Sequence, residues 1–306
     1  MCKEDEIVKH FYCGESKSPI IILHGGAGPQ DPKTEIVEQT TKDLVDFANS
    51  SLKNTGDGAM SVVAEALLLL EKSSCFNAGY GSALQADGVA RLSASIMSGD
   101  TQKFSAVASV PYLTHPSKLA ITLQDKRSRV LTIPGAELLA RELGLEVSSS
   151  LDERRVETWV QKLKDSVDMG DTVGCVYWHN NSQLIAGSST GGRGFERPGR
   201  ISDSATVAGN YCSKFLAVTA TGIGEEIVDD AVCAKLETRV RDGMSLKEAA
   251  AKTFEEALEK KRQYGWIAID QEGNWNVAFT SKGMSFAVCT ADDTILSWAQ
   301  VAGKID

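Results

Sequence analysis

One short stretch past the middle of the chain could supply a nucleophile, Gly170-Asp171-Thr172-Val173-Gly174. The turning Gly-Asp pair delivers a threonine into a β-type run, Val173 to Trp178. If the bond after Asp171 were cleaved, the α-amine of Thr172, with an ordinary pKa of about 8, could accept the proton of its own hydroxyl. The alternative is that Thr172 only opens a strand, since a turn followed by a strand is a common pattern.

Other catalytic arrangements fit the sequence less well. Gly187-Ser188-Ser189-Thr190-Gly191 matches the G-x-S-x-G pattern of serine hydrolases, but glycine-rich residues 191–194 disfavour the helix that must follow it. The four histidines, at positions 10, 24, 115 and 179, all precede this serine, whereas that pattern needs one after it. No two histidines have metal-ligand spacing with a carboxylate, and Gly222-Ile223-Gly224 lacks a phosphate-binding pattern. A threonine nucleophile remains.

Composition limits the class of protein. The 306 residues are 42% apolar and 24% charged, as in ordinary globular proteins. The net charge of -9 argues against nucleic acid and anionic membranes as partners. No apolar run is long enough to span a membrane, and the acidic first residues have no apolar core behind them, so we expect no secretory signal. Seven scattered cysteines without a CxxC pair disfavour disulfides and zinc and favour a reducing cytoplasm.

The elements that would position Thr172 can be read from apolar periodicity. The run from Pro19 to Leu23 predicts a buried strand that ends in a glycine-rich loop, His24 to Gly28, which either approaches a ligand or turns tightly. We expect residues 1–18 to be a loose leader. The predicted helices cover about 34–52, 59–71, 135–143, one helix from Ile227 to Leu236, and 245–258. The predicted strands cover about 89–97, 104–110, 172–178, 183–189, 216–220, 265–270, 275–280 and 286–290.

Strands, two helices and strands again in each half of the chain predict a layered fold with helices outside and sheets inside. The period-2 hairpins favour antiparallel pairing, which excludes a purely doubly wound fold. Residues 148–171 are the most polar segment and the only credible linker, and they end at Gly170-Asp171.

Seven motifs occur in a specific order: His24-Gly25-Gly26-Ala27-Gly28, Phe76-Asn77-Ala78-Gly79-Tyr80-Gly81-Ser82, Ala94-Ser95-Ile96-Met97, Gly170-Asp171-Thr172-Val173-Gly174, Ser189-Thr190-Gly191-Gly192, Gly199-Arg200 with Asp203, and Ala220-Thr221-Gly222. Each motif is weak alone. Together, from about residue 20 to 290, they resemble the isoaspartyl peptidase/L-asparaginase (plant-type asparaginase) family of N-terminal-nucleophile hydrolases.

The resemblance implies an α+β fold, a four-layer αββα sandwich formed as a single domain by residues 1–306. It also implies an inactive precursor that is cleaved between 171 and 172 into an α chain, 1–171, and a β chain, 172–306. These chains would assemble as a dimer of αβ units. The implied activity is that of a threonine amidohydrolase that releases L-aspartate from β-aspartyl dipeptides and L-asparagine.

The same resemblance implies roles for the catalytic residues. Thr172 attacks the side-chain amide or isopeptide carbonyl, and Thr190 lies beside it. Thr221 and the amide of Gly222 stabilise the oxyanion, a role often worth roughly 3–4 kcal/mol of barrier. Thr190 and Thr221 could otherwise be plain strand ends.

Substrate binding is implied for Arg200, Asp203 and Gly222. Arg200 holds the substrate's α-carboxylate, for which a guanidinium fork is well shaped, and Asp203 takes the α-ammonium. The alternative is a surface ion pair between Arg200 and Asp203, worth under about 1 kcal/mol. Ile223 replaces a common histidine of the family and Ser202 a glycine, and both changes bear on which substrate is used.

A structural sodium ion is also implied, on a loop that includes Leu70, Glu71 and Phe76 and binds largely through backbone carbonyls. No other cofactor is expected. The chain departs from the family pattern at Lys72-Ser73-Ser74-Cys75, where acidic residues and a proline are usual, and at Arg91, Ser93 and Ser98.

Two other interpretations stay open. A sister branch with the same nucleophile, a glycosylasparaginase or an aspartate-specific endopeptidase, would share these motifs, although the leader and the His-Gly-Gly-Ala-Gly loop weigh against the former. A catalytically silent relative that remains uncleaved, and serves as a binding or structural subunit, is favoured only by the altered sodium loop.

Overall fold

The computed structural model describes residues 10–28, 35–53, 58–145, 152–163, 172–179 and 183–302. The strands are β1 (His10–Glu15), β2 (Ile20–Gly28), β3 (Arg91–Ser98), β4 (Lys103–Pro111), β5 (Val130–Leu131), β6 (Val173–His179), β7 (Gln183–Thr190), β8 (Asn210–Cys212), β9 (Leu216–Gly222), β10 (Tyr264–Asp270), β11 (Asn274–Phe279), β12 (Gly283–Thr290) and β13 (Thr294–Ser297). The helices are α1 (Glu35–Leu52), α2 (Ala59–Lys72), α3 (Pro116–Thr122), α4 (Gly135–Glu142), α5 (Glu153–Lys162), α6 (Gly224–Asp230), α7 (Val232–Arg241), α8 (Leu246–Glu259) and α9 (Trp298–Ala302).

The strands form two sheets. The larger sheet has the order β13-β12-β2-β6-β7-β3-β4-β5, and the smaller has the order β1-β11-β10-β9-β8. Neighbouring strands are antiparallel except β4 and β5, which are parallel. The predicted antiparallel pairing is therefore confirmed.

Three buried apolar clusters separate four layers. One lies between α1, α2 and α3 and the larger sheet, the second between the two sheets, and the third between the smaller sheet and α7 and α8. This order of helices, sheet, sheet and helices confirms the predicted αββα sandwich.

Strand β2 shows why the sequence of a central strand is a continuous run of apolar residues. Ile21 and Leu23 point into the cluster under the helices, whereas Ile20 and Ile22 point into the cluster between the sheets. A strand that is buried on both faces needs apolar residues at every position rather than at alternate ones.

Two predictions for the first 28 residues are wrong. Residues 10–15 are not part of a loose leader but form β1, which pairs with β11 at the edge of the smaller sheet. Residues 24–28 are not a loop but extend β2, and they pair with β12 across a bulge at Ser285/Phe286. At this bulge Gly26 has a φ of 120°, a backbone conformation that glycine adopts readily and residues with a side chain rarely adopt.

The single helix predicted from Ile227 to Leu236 is also wrong. It is two helices, α6 and α7, which meet at Ala231 in a left-handed conformation with φ 47°. Asp230, the last residue of α6, accepts hydrogen bonds from Lys260, Arg262 and Tyr264, and these contacts fix the break. The short elements α3, β8, β13 and α9 have no counterpart in the sequence predictions.

Some predicted features lie outside the described residues. They include the connection between the strands predicted at 172–178 and 183–189, the Gly170-Asp171 pair, and the parts of the predicted linker on either side of α5. Among the helices that the structure describes, none is long and apolar enough to cross a membrane.

Candidate active site

The β6–β7 hairpin sets Thr172 opposite Thr190. Val173 pairs with Ser189 in the antiparallel register, so the next pair towards the start of β6 would be Thr172 with Thr190. The Thr172 hydroxyl donates a hydrogen bond to the Thr190 hydroxyl at 3.3 Å. Thr172 is only 5% exposed, so its hydroxyl is held in a largely protein environment.

A third hydroxyl completes this group. Ser204 Oγ lies 3.3 Å from Thr172 Oγ1 and is fully buried. The backbone amide of Gly192 donates to Thr190 Oγ1 at 3.1 Å, which orients that hydroxyl from the opposite side. The Thr172 hydroxyl thus has two fixed neighbours and a narrow range of directions.

Strand β9 of the smaller sheet contacts the nitrogen of the same threonine. The Thr172 amide donates to Thr221 Oγ1 at 3.4 Å, and the Ala27 amide donates to the same oxygen at 3.2 Å. The next residue, Gly222, has φ 130°, and a Cβ there would lie 2.5 Å from the carbonyl oxygen of Gln263. Both features favour glycine strongly at this position.

A buried imidazole lies beneath the nucleophile. His24 Nε2 is 3.0 Å from Thr219 Oγ1, which links β2 of one sheet to β9 of the other. Burial lowers the pKa of His24 to about 3, so the ring is neutral at physiological pH. Gly174 pairs with His24, and the absence of a side chain there makes room for the ring.

Three polar side chains converge next to Gly224. A Cβ on Gly224 would lie 2.6 Å from Ser202 Oγ, 2.7 Å from Asp203 Oδ1 and 3.0 Å from Arg200 Nη2. The Ser202 hydroxyl donates to Asp203 Oδ1 at 2.6 Å, while Asp203 Oδ2 is buried with no hydrogen-bond partner among the described residues. Of the two carboxylate oxygens, Oδ1 is the one next to Gly224, whereas Oδ2 lies next to Gly209, where a Cβ would be 2.5 Å away.

Burial also changes the acidity of this group. Desolvation raises the pKa of Asp203 to about 6, although the Ser202 hydrogen bond and the charge of Arg200 act in the opposite direction. Arg200 does not pair with Asp203 as in a surface ion pair. Its Nε and Nη2 atoms donate to Glu225 at 2.6 and 2.8 Å.

These groups surround a cavity of about 200 Å³. Thr172, Thr190, Arg200 and Gly222 line it, whereas Thr221 and Asp203 are buried behind the lining. Ile223 and Lys282 also line the cavity. A nucleophilic hydroxyl, the backbone of Gly222 and the Arg200 guanidinium therefore lie around one small space, with the Asp203 carboxylate buried behind its wall. Acyl transfer from an amino-acid amide requires groups of these kinds.

The segment predicted to hold sodium is partly helical, because Leu70 and Glu71 lie in the last turn of α2 and only Phe76 follows the helix. The Glu71 carboxylate is fully buried and accepts hydrogen bonds from the amide and hydroxyl of Ser117, at 3.0 and 2.7 Å, and from Ser189 Oγ at 2.7 Å. A Cβ on Gly79 would lie 2.2 Å from the carbonyl oxygen of Glu71 and 2.6 Å from that of Thr114. Oxygen ligands of this kind fit a hard cation such as sodium.

The same contacts exclude Ser189 as the nucleophile of a serine hydrolase. Ser189 is fully buried within β7, its hydroxyl is bonded to Glu71, and no helix follows it directly. It therefore cannot serve as an exposed nucleophile of the elbow type.

Sequence reasoning missed three residues at this site. Ser204 could have been suspected only from its position next to Asp203. Asn77 lies in a recognised motif, and its Nδ2 donates to the Gly192 carbonyl at 2.6 Å, which fixes the segment after Thr190. Nothing in the sequence signals that Glu225 pairs with Arg200, because the two residues are brought together only by the fold.

Comparison with known proteins agrees with this geometry. The asparaginase family model Asparaginase_2 matches residues 17–296. An isoaspartyl peptidase/L-asparaginase of Synechocystis sp. is 39% identical over 275 residues, covering 84% of this chain and 83% of the relative. A protein of the same name from Nostoc sp. is 39% identical over 276 residues (83% and 86%), and an isoaspartyl peptidase of Salmonella typhimurium is 32% identical over 303 residues (90% and 96%). The chain therefore belongs to the isoaspartyl peptidase/L-asparaginase family.

Proposed function

We propose that this chain is an autoprocessing threonine amidohydrolase that releases L-aspartate from β-aspartyl dipeptides and L-asparagine. The observation that carries the proposal is the placement of Thr172. Its hydroxyl donates a hydrogen bond to the Thr190 hydroxyl, and its backbone nitrogen donates one to the Thr221 hydroxyl. The residue lines a cavity that Arg200 also lines. Cleavage between residues 171 and 172 would turn that nitrogen into an amine without moving the hydroxyl.

The amine then acts as the base. It accepts the proton of the Thr172 hydroxyl, whose oxygen attacks the side-chain carbonyl of the substrate. The Gly222 amide and the Thr221 hydroxyl stabilise the resulting oxyanion. The amine proton passes to the leaving group, ammonia or an α-amino group, and water hydrolyses the aspartyl ester to restore the threonine.

Arg200 and Asp203 select an L-aspartyl group. The guanidinium binds the α-carboxylate, and the Asp203 carboxylate receives the α-ammonium through Oδ1, the oxygen next to Gly224 of the cavity wall. A substrate without the α-ammonium would leave the buried Asp203 carboxylate without a counter-charge, and one without the α-carboxylate would lose the contact with Arg200. Either loss discriminates against such a substrate.

We also propose three surrounding properties, which follow the family resemblance. Backbone carbonyls of Leu70 and Glu71, at the end of α2, and of Phe76, in the segment after it, would hold a sodium ion that fixes the loop carrying Asn77. The cleaved chains would assemble as a dimer of αβ units. The scattered cysteines favour a reducing cytoplasm. Sodium dependence of the thermal midpoint and light scattering test the first two.

Intact-mass measurement and product analysis test the central proposal. The purified protein should consist of two fragments, one with Thr172 as its N-terminus, and should release aspartate from L-asparagine and β-aspartyl-leucine. A single uncleaved chain that releases no aspartate would support the catalytically silent interpretation. Faster turnover of glycosylated asparagine than of β-aspartyl-leucine would place the protein in the sister branch instead.

The raised pKa of Asp203 predicts a pH-dependent substrate preference. Asp203 must be ionised to receive the α-ammonium, and its pKa is about 6, so this interaction is present above that pH and lost below it. The ratio of kcat/KM for L-asparagine to that for succinamate, which lacks the α-amine, should fall by up to about tenfold per pH unit below the pKa. Titration of the Thr172 amine affects both substrates and cancels in the ratio. A ratio that stays constant between pH 5 and 7.5 would contradict the assignment of Asp203.

A further inference from the structure

Arg200 is already engaged by a carboxylate of its own chain. The bond from Nε reaches Glu225 Oε1 and the bond from Nη2 reaches Oε2, so the pair is bidentate. Arg200 lines the cavity, but Glu225 is not among the described residues that do. Glu225 therefore binds the guanidinium without itself lining the cavity.

The contact with Glu225 leaves one edge of the Arg200 guanidinium for a second carboxylate. Its five N–H donors lie in one plane, and the Glu225 carboxylate uses the edge formed by Nε and Nη2. The edge formed by Nη1 and the second N–H of Nη2 keeps two parallel donors. That edge can bind another carboxylate in the same bidentate manner.

We propose that Glu225 is a positioning residue for substrate binding, which fixes the Arg200 guanidinium so that its opposite edge meets the α-carboxylate of the aspartyl substrate. This inference rests on the proposed function. It adds a specificity-determining residue that itself touches no reacting atom.

A second contact supports it. Glu225 Oε2 is also 4.0 Å from Nη1 of Arg193, another residue that lines the cavity. One carboxylate thus lies against two cations, which lowers their mutual repulsion. The hydrogen bonds from Arg200 lower the pKa of Glu225, so it is ionised at neutral pH.

The exposure of the pair indicates that its role is orientation rather than stability. The Glu225 side chain is 54% exposed, whereas that of Arg200 is 15% exposed. Exposed ion pairs add little to folding stability. Holding a long side chain in its binding conformation beforehand removes an entropic cost from substrate binding, and this effect appears in KM.

Substitution of Glu225 tests the proposal. Glu225→Gln and Glu225→Ala should raise KM for L-asparagine about three- to tenfold, the range expected when one long side chain must be ordered during binding. The value of kcat should change by less than about twofold, because Thr172 and the oxyanion donors are untouched. The thermal midpoint and the extent of chain cleavage should match those of the unsubstituted protein.

Asp229→Asn is the matched control. Asp229 lies on the same helix, its side chain is 62% exposed, and it approaches Arg262 at 3.6 Å rather than a cavity residue. This variant removes one negative charge from α6 and should leave KM unchanged. An equal rise in KM for Asp229→Asn would attribute the effect to net charge and overturn the proposal.

Two further measurements separate positioning from its rivals. With β-alaninamide, which lacks the α-carboxylate, Glu225→Gln should have no effect on kcat/KM. In an Arg200→Lys background, where the planar fork is absent, Glu225→Gln should add little to the rise in KM.

Two results would overturn the proposal. A fall in KM on removing Glu225 would show that it competes with substrate, and an unchanged KM would show that it does not orient Arg200. If the unsubstituted protein released no aspartate, the proposed function itself would fail.

Discussion

Thr172→Ala is expected to leave the purified chain in one piece and to lower kcat for L-asparagine by at least about 10⁴-fold. The substitution removes the oxygen that is hydrogen-bonded to Thr190 and Ser204, on the residue whose backbone nitrogen donates to Thr221. In the proposed self-cleavage, the same oxygen attacks the peptide bond that precedes it. Cleavage and turnover should therefore be lost together, as mass measurement and an aspartate assay would show.

Thr172→Ser serves as the control for this result. It keeps the hydroxyl and the backbone nitrogen, so it should still cleave and still turn over, more slowly because the hydroxyl has lost the methyl group that restricts its rotamers. Full activity of Thr172→Ala, or an intact chain that hydrolyses asparagine at the normal rate, would contradict the role assigned to Thr172.

The second large effect is expected from Gly174→Ala. The added Cβ would lie 2.2 Å from His24 Nε2 and 2.5 Å from Thr219 Oγ1, two atoms that bond to each other across the sheets. Neither atom belongs to a flexible surface side chain, so strands β2, β6 and β9 must separate. We expect a loss of about 3 kcal/mol in the free energy of unfolding, the upper part of the range for overpacked cores. Calorimetry measures it.

Activity should fall with stability in this variant, since Thr172 lies two residues away from the altered position. Gly135→Ala is the matched control, because a Cβ there would make only ordinary contacts at 3.5 Å with Leu131. It should be neutral or slightly stabilising. The double variant His24→Ala with Gly174→Ala should be less destabilised than the sum of the two single changes, since the ring that causes the clash is gone. Strict additivity would exclude that contact as the cause.

The sequence predicts the catalytic strand well for a physical reason. Residues 173–178 are apolar at every position because both faces of β6 are covered, and the turn signal before them marks where the strand begins. The order of short motifs identifies Thr190, Arg200 and Asp203, although these residues are distant in sequence. Their mutual placement depends on the register of β6 with β7, which local patterns do not encode.

Two of the wrong predictions, those for β1 and for residues 24–28, have a common cause. Polar β1 is an edge strand with half-exposed side chains, and the glycines at residues 25–28 normally mark a loop, yet pairing with β11 and β12 makes both segments extended. Tertiary pairing overrides local preference in each case. The Arg200–Glu225 contact and the raised pKa of Asp203 are further products of the fold, since they depend on burial and on partners from other elements.

The strand order of the two sheets determines whether the two chains would stay associated after cleavage between residues 171 and 172. Strands from before residue 172 pair with strands from after it at four places: β2 lies between β12 and β6, β3 is paired with β7, and β1 is paired with β11. The two polypeptides would therefore share backbone hydrogen bonds in both sheets. We therefore expect them to copurify without any covalent tie and to melt together as one cooperative unit. Maturation would then create a reactive terminus at no cost to the integrity of the molecule.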